Sequence, residues 1–111
     1  MIFVTGPLYA GKQAYIQAAL GLTDLEFTAC AVRDVQERAR EKDPASLAEE
    51  LSTYRVVIAT EVGGGVVPID PEERAAREEA GRLACELARR AETVVRVCCG
   101  LPQLLKGDWP C

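Results

Sequence analysis

The sequence predicts an α/β fold: a small, mainly parallel sheet of about four strands flanked by helices. Three observations carry that expectation. Short apolar runs alternate with helix-like stretches along the chain, which is the pattern of a parallel α/β sheet. The best of those runs, Tyr54-Arg55-Val56-Val57-Ile58-Ala59-Thr60, is continuous and rich in β-branched residues, as a strand covered on both faces should be. The N-terminal run Ile2-Phe3-Val4-Thr5 passes through a glycine turn straight into a helical pattern. A chain of 111 residues leaves room for one core, so the expectation is a single domain over residues 1–111.

Each element has a local reason. Ile2-Phe3-Val4-Thr5 reads as a short buried-type strand. A helix over 12–20 carries Ala14, Ile16, Ala18, Ala19 and Leu20, and Gly21 stops it. Leu25-Glu26-Phe27-Thr28-Ala29-Cys30 reads as a second strand, and 32–42 as a charged helix with an apolar stripe at Val32, Val35 and Ala39. Asp43 as N-cap and Pro44 in the first turn open a helix that runs to Leu51. The strand over 54–60 follows. The longest helix opens at Asp70, with Pro71 at its first position and Glu73 completing a capping box. Ala76, Ala80, Leu83, Ala84, Leu87 and Ala91 share one face of it, while Glu73–Arg77, Glu78–Arg82 and Glu86–Arg90 sit four apart on a solvated face. A last strand over 93–99 ends at Gly100-Leu101-Pro102. The stretch 103–111 has patterning too weak to assign.

Charge and composition narrow the function classes. Lys and Arg number 13 against 17 Asp and Glu, a net charge of −4. A domain that wraps duplex nucleic acid usually carries the opposite balance, so nucleic acid is not an expected partner. No apolar run approaches the ~18 residues that span a bilayer, and the N-terminus lacks the basic start and cleavage site of a secretory signal. No membrane association is expected, and the cytoplasm is the expected location. Histidine is absent, so no imidazole base, phosphohistidine or histidine metal ligand can form on this chain. The five cysteines show no Cys-x-x-Cys spacing. Cys30, Cys85, Cys98 and Cys99 are expected as small apolar residues in a reducing compartment, and Cys111 as exposed and oxidisable.

The sharpest motif is Gly6-Pro7-Leu8-Tyr9-Ala10-Gly11-Lys12, with the G-x-x-x-x-G-K spacing of a phosphate-binding loop. Two glycines let the backbone curl so that successive N–H groups point at phosphate oxygens. The lysine adds positive charge, and the helix that begins there presents its positive end to the anion. An ordinary glycine turn is the plain alternative. The next position departs from the motif, which uses a Ser or Thr hydroxyl to ligate Mg²⁺; here it is Gln13, a longer carboxamide less suited to tight octahedral geometry. These features imply a P-loop NTPase-like domain whose nucleotide-binding residues are Gly6, Pro7, Leu8, Tyr9, Ala10, Gly11, Lys12 and Gln13, with Lys12 also a catalytic candidate.

A second constellation is Thr60-Glu61-Val62-Gly63-Gly64-Gly65-Val66-Val67-Pro68. Ligands of parallel α/β sheets sit beyond the carboxyl ends of the strands, so this segment, the phosphate loop and Gly100-Leu101-Pro102 are expected along one edge. Glu61 is then the acidic candidate beside the phosphates, as a metal or water-positioning catalytic group. A polar strand end followed by a glycine loop is the plain alternative.

These residues resemble those of the bifunctional adenosylcobinamide kinase/adenosylcobinamide-phosphate guanylyltransferases of cobalamin biosynthesis. The likeness rests on 1–20, on Thr60-Glu61-Val62-Gly63-Gly64-Gly65-Val66-Val67-Pro68, on Arg77 and Ala80-Gly81-Arg82, and on Val97-Cys98-Cys99-Gly100-Leu101-Pro102. It implies a P-loop fold, GTP or ATP with Mg²⁺, a corrinoid substrate, and a homo-oligomer. It also implies kinase action on cobinamide and GMP transfer through a guanylylated histidine. This chain departs from the family at several points. It has no histidine for the covalent intermediate, Gln13 replaces the hydroxyl residue, and Tyr9 and Ala10 replace polar residues. The stretch between Cys30 and Tyr54 is short, and Thr60 stands where Asn is usual. Three readings stay open: an enzyme retaining the kinase half-reaction, a non-catalytic nucleotide-binding sensor or subunit, and a structural remnant. So short a sheet is also expected to have its edges covered by a partner chain or a second copy.

Overall fold

A computed structural model describes residues 1–62 and 70–110. Its elements are β1 (Ile2–Gly6), α1 (Lys12–Leu20), α2 (Asp24–Cys30), β2 (Ala31–Val32), a 3-10 turn (Val35–Arg38), α3 (Pro44–Leu51), β3 (Val56–Thr60), α4 (Pro71–Arg90), β4 (Thr93–Cys98) and β5 (Leu101–Lys106). The fold is α/β, a five-stranded, mostly parallel sheet in the order β2-β3-β1-β4-β5 flanked by helices. β1 lies at the centre, parallel to β3 (Gly6 opposite Thr60) and to β4 (Thr5 opposite Arg96). β2 pairs parallel to β3, and β5 runs antiparallel to β4.

Strand alternation builds a core on each face. Phe3, Val57, Ala59 and Val94 pack against Leu47 and Leu51 of α3 and Leu83 and Leu87 of α4. Val4, Val56, Ile58, Val95 and Val97 point the other way, onto Ile16 of α1 and Phe27 of α2. Covering both faces is why β1 and β3 read as continuous apolar runs. Each fully buried leucine side chain contributes about 1.5–3 kcal/mol through removal from water. On α4, Ala80, Leu83, Leu87 and Ala91 are buried as the spacing predicts. Glu73–Arg77 and Glu78–Arg82 approach to 3.8 and 4.0 Å on its outer face, and Glu86 pairs with Arg90. Among the described residues no helix is long and apolar enough to cross a membrane.

Four local expectations are corrected. Residues 25–30 are not a strand but most of α2, because Thr23 and Glu26 form a capping box. The Glu26 amide donates to Thr23 Oγ1 at 3.2 Å, and the Thr23 amide donates to Glu26 Oε1 at 2.9 Å. The second strand is only Ala31–Val32. The helix expected over 32–42 shrinks to the turn Val35–Arg38, preceded by Asp34 in the left-handed region at φ 54°. Val35 and Ala39 are buried nonetheless. At α4, Asp70 is the N-cap as expected, but its carboxylate accepts from the Glu72 amide at 3.0 Å, and Glu73 turns toward Arg77.

The fourth correction concerns the C-terminal stretch, where β5 makes the sheet five-stranded. Cys98 pairs with Leu101, leaving Cys99 and Gly100 as a two-residue turn with φ of 53° and 75°. Both central residues of a type I′ hairpin need that positive φ. Pro102 is tolerated because β5 is an edge strand, and Leu105 is the extra residue of a bulge where the register shifts between Val94 and Val95. The cysteines depart from expectation too: all four described ones are free, but Cys85 and Cys99 are exposed, and Cys30 and Cys98 are only half-buried. Cys111 lies outside the described residues.

Candidate functional site

The loop over 6–13 leaves the carboxyl end of β1 and turns into α1. Gly6 adopts φ 153°, and a Cβ there would lie 2.1 Å from the Val97 carbonyl oxygen, so the approach of β1 to β4 admits only glycine. Gly11, at φ 85°, is the N-cap of α1 and offers no side-chain oxygen to the helix's first amides. Tyr9 holds φ 59° at the loop tip, where it and Leu8 are exposed. A glycine-bounded curl that ends on an uncapped helix start has the geometry of an anion cradle.

Lys12, the first residue of α1, is 8% exposed, the one buried charged side chain among the described residues. Its Nζ donates to the Pro7 carbonyl at 2.7 Å, so the ammonium lies across the loop. Burial lowers its pKa from the ordinary lysine value, and the Asp34 and Glu61 carboxylates oppose that shift.

Two backbone bonds tie neighbouring segments to this loop. The Glu61 amide donates to the Gly6 carbonyl at 2.8 Å, and the Gly100 amide donates to the Ala10 carbonyl at 2.8 Å. The ends of β1 and β3 and the β4–β5 turn therefore meet at one sheet edge, as expected for a parallel sheet. Of the second constellation, Thr60, Glu61 and Val62 are seen there; the expected loop from Gly63 to Pro68 lies outside the described residues.

Glu61 is engaged by Arg96 of β4 in a bidentate pair, Nε to Oε1 at 2.6 Å and Nη2 to Oε2 at 3.0 Å. That hydrogen bond, aided by the charges of Arg96 and Lys12 against the cost of burial, lowers the Glu61 pKa. Gln13 is engaged as well: its Oε1 accepts from Arg33 Nη1, and its Nε2 lies 3.5 Å from Gln17 Oε1. Gln13, Arg33 and Asp34 line a cavity of about 430 Å³ together with Phe27, Thr28 and Glu37.

Arg33, Asp34 and Arg96 are absent from the sequence-based candidate set. Arg96 carried one signal, a lone charge inside the apolar run Val94-Val95-Arg96-Val97. Arg33 and Asp34 carried none beyond following a short apolar pair. Among the described residues, Gln13 and Glu61, the metal-side donors expected from the sequence, each already accept from a guanidinium, while the Asp34 carboxylate also acts on Lys12.

The family model of cobinamide kinase / cobinamide phosphate guanyltransferase matches residues 22–105. No curated protein matches the chain. The matched stretch starts after the loop over 6–13 and takes in Glu61, Arg96 and the β4–β5 hairpin. The loop and the family match are thus separate observations that meet at one sheet edge. The match spans well over half of the chain, and the chain belongs to the cobinamide kinase / cobinamide phosphate guanyltransferase family, whose work lies in cobalamin biosynthesis.

Proposed function

We propose that this chain binds the phosphates of GTP or ATP in the loop over 6–13, as a pared-down member of its family. One observation supports this above the rest: the loop joins a central parallel strand to an uncapped helix start through two glycines at positive φ, with Lys12 laid across it. The backbone amides from Gly6 to Gln13 would surround the phosphates, and Lys12 would exchange the Pro7 carbonyl for a phosphate oxygen. Glu61 supplies a carboxylate beside that position, where it orients Arg96 and balances the charge on Lys12.

The family's kinase step would place a corrinoid hydroxyl at this edge. Guanylyl transfer through histidine has no residue to proceed on in this chain. The engagement of both Gln13 and Glu61 by arginines favours a second reading, a nucleotide-binding sensor or subunit that works with another chain or copy. Calorimetric titration of GTP and ATP into the wild type and Lys12→Ala tests the common core of both. Binding by the wild type and loss of about tenfold or more in the variant is expected, since charge-assisted hydrogen bonds to phosphate are among the stronger ones. Equal affinity in the two proteins would refute the phosphate role of the loop.

A further inference from the structure

We infer that the phosphate site of this chain is built to work without a divalent cation, with Arg33 and Arg96 supplying the positive charge that a metal supplies in loops ending in Ser or Thr. The inference rests on the nucleotide reading above and deepens it.

The argument starts from the donor set. Mg²⁺ beside such a loop takes an oxygen from the residue after the lysine and is commonly backed by an acidic side chain from a neighbouring strand. Here the first position is Gln13, whose side-chain oxygen accepts from Arg33. The acidic candidate is Glu61, both of whose oxygens accept from Arg96. A metal held by Gln13 and Glu61 would have to break both pairs and displace two guanidinium groups. Among the described residues, Asp34 is then the carboxylate acting on Lys12 that stands outside those pairs. One such group does not make the near-octahedral oxygen set that Mg²⁺ takes, and the residues present do not fit it.

They fit an anion better. Guanidinium stays charged across the working pH range and offers planar, paired N–H donors that match phosphate oxygens. Arg33 uses Nη1 for Gln13, which leaves its other nitrogens outside that pair, and Arg96 uses Nε and Nη2 for Glu61 and also hydrogen-bonds the Cys98 side chain, a weak partner that a phosphate oxygen would replace. Arg33 is exposed and Arg96 is 37% exposed, so an incoming ligand can reach both. Gln13 and Glu61 then act as holders: Gln13, the residue after Lys12, fixes Arg33, and Glu61, whose carboxylate acts on Lys12, fixes Arg96. Asp34, next to Arg33, and Glu61 also act on Lys12 and favour its charged form in the absence of ligand.

The test is calorimetric titration of GTP and ATP into the full chain in Mg²⁺ and in EDTA, with Arg33→Ala and Arg96→Gln beside the wild type. Expected is wild-type affinity in EDTA within about threefold of that in Mg²⁺, with a loss of about tenfold in EDTA for each variant. Wild-type affinity that falls tenfold or more on removing Mg²⁺ would overturn the inference. So would variants that bind in EDTA as tightly as the wild type. Arg33 is a surface residue, so if Arg96→Gln loses its helical circular dichroism, Arg33→Ala decides alone. A folded wild type that binds neither nucleotide in either buffer refutes the nucleotide reading itself, a result distinct from binding that depends on metal or ignores the arginines.

Discussion

Replacing Gly6 with alanine tests whether the loop is held by the close approach of β1 to β4. The new Cβ would stand 2.1 Å from the Val97 carbonyl oxygen and 3.1 Å from its carbon, both backbone atoms that cannot rotate away. Relief therefore requires the two strands to separate at the site edge by roughly 1 Å, in an interior that tolerates little displacement. Overpacking of this kind costs about 1–3 kcal/mol, and a non-glycine residue held at positive φ adds about 1–2 kcal/mol. Together they predict a loss of about 2–5 kcal/mol, a large share of the ~5–15 kcal/mol that holds a domain folded. Urea denaturation followed by circular dichroism would show it as a midpoint lowered by about 1–2.5 M for a slope of ~2 kcal/mol/M. Gly81→Ala is the control: it lies in α4, a Cβ there meets nothing within 4 Å, and it is expected to stabilise by about 0.5–1 kcal/mol. A Gly6→Ala midpoint equal to the wild type would refute the reasoning.

Two further outcomes are expected. The Glu61 pKa is depressed in the folded state by the Arg96 hydrogen bond, so its contribution is present above the ordinary glutamate pKa and is lost as pH falls through the lowered value. Glu61→Gln should lose stability at neutral pH and show a shallower decline than the wild type between pH 7 and about pH 3; parallel declines in the denaturation midpoint would count against the pair. Cys99 holds φ 53° in the first position of the β4–β5 turn, where Asn is better suited. Cys99→Asn should raise the urea midpoint by an amount worth up to about 1 kcal/mol, and a lowered midpoint would show that the thiol has a contact the turn needs.

Legibility in the sequence followed the range of the forces involved. The starts of α3 and α4 could be read from Asp43-Pro44 and Asp70-Pro71, because a cap acts within one turn of its own chain. The glycine loop was legible for the same reason. Residues 25–30 misled because Leu25, Phe27 and Thr28 look strand-like one by one. The Thr23…Glu26 box decides the matter three residues apart, and only Phe27 needs burial. β5 could not be read from its own pattern, since it is held by hydrogen bonds to β4 and shows an exposed face bearing Leu101 and Leu105. The arginines of the site lay further out of reach, with Arg33 meeting Gln13 across 20 positions and Arg96 meeting Glu61 across 35.

By itself the sequence determined the α/β class, the buried character of the apolar strands β1 and β3, the loop that bends on Gly6 and Gly11, and the family resemblance, because periodicity, capping and glycine freedom act locally. The tertiary structure decided what surrounds Lys12. Parallel pairing carries the ends of β1, β3 and β4 to one edge, and only that convergence sets Arg96 on Glu61 and brings the Gly100 amide to the Ala10 carbonyl. Charges distant along the chain meet there because sheet register, which no single segment specifies, places them within hydrogen-bonding distance.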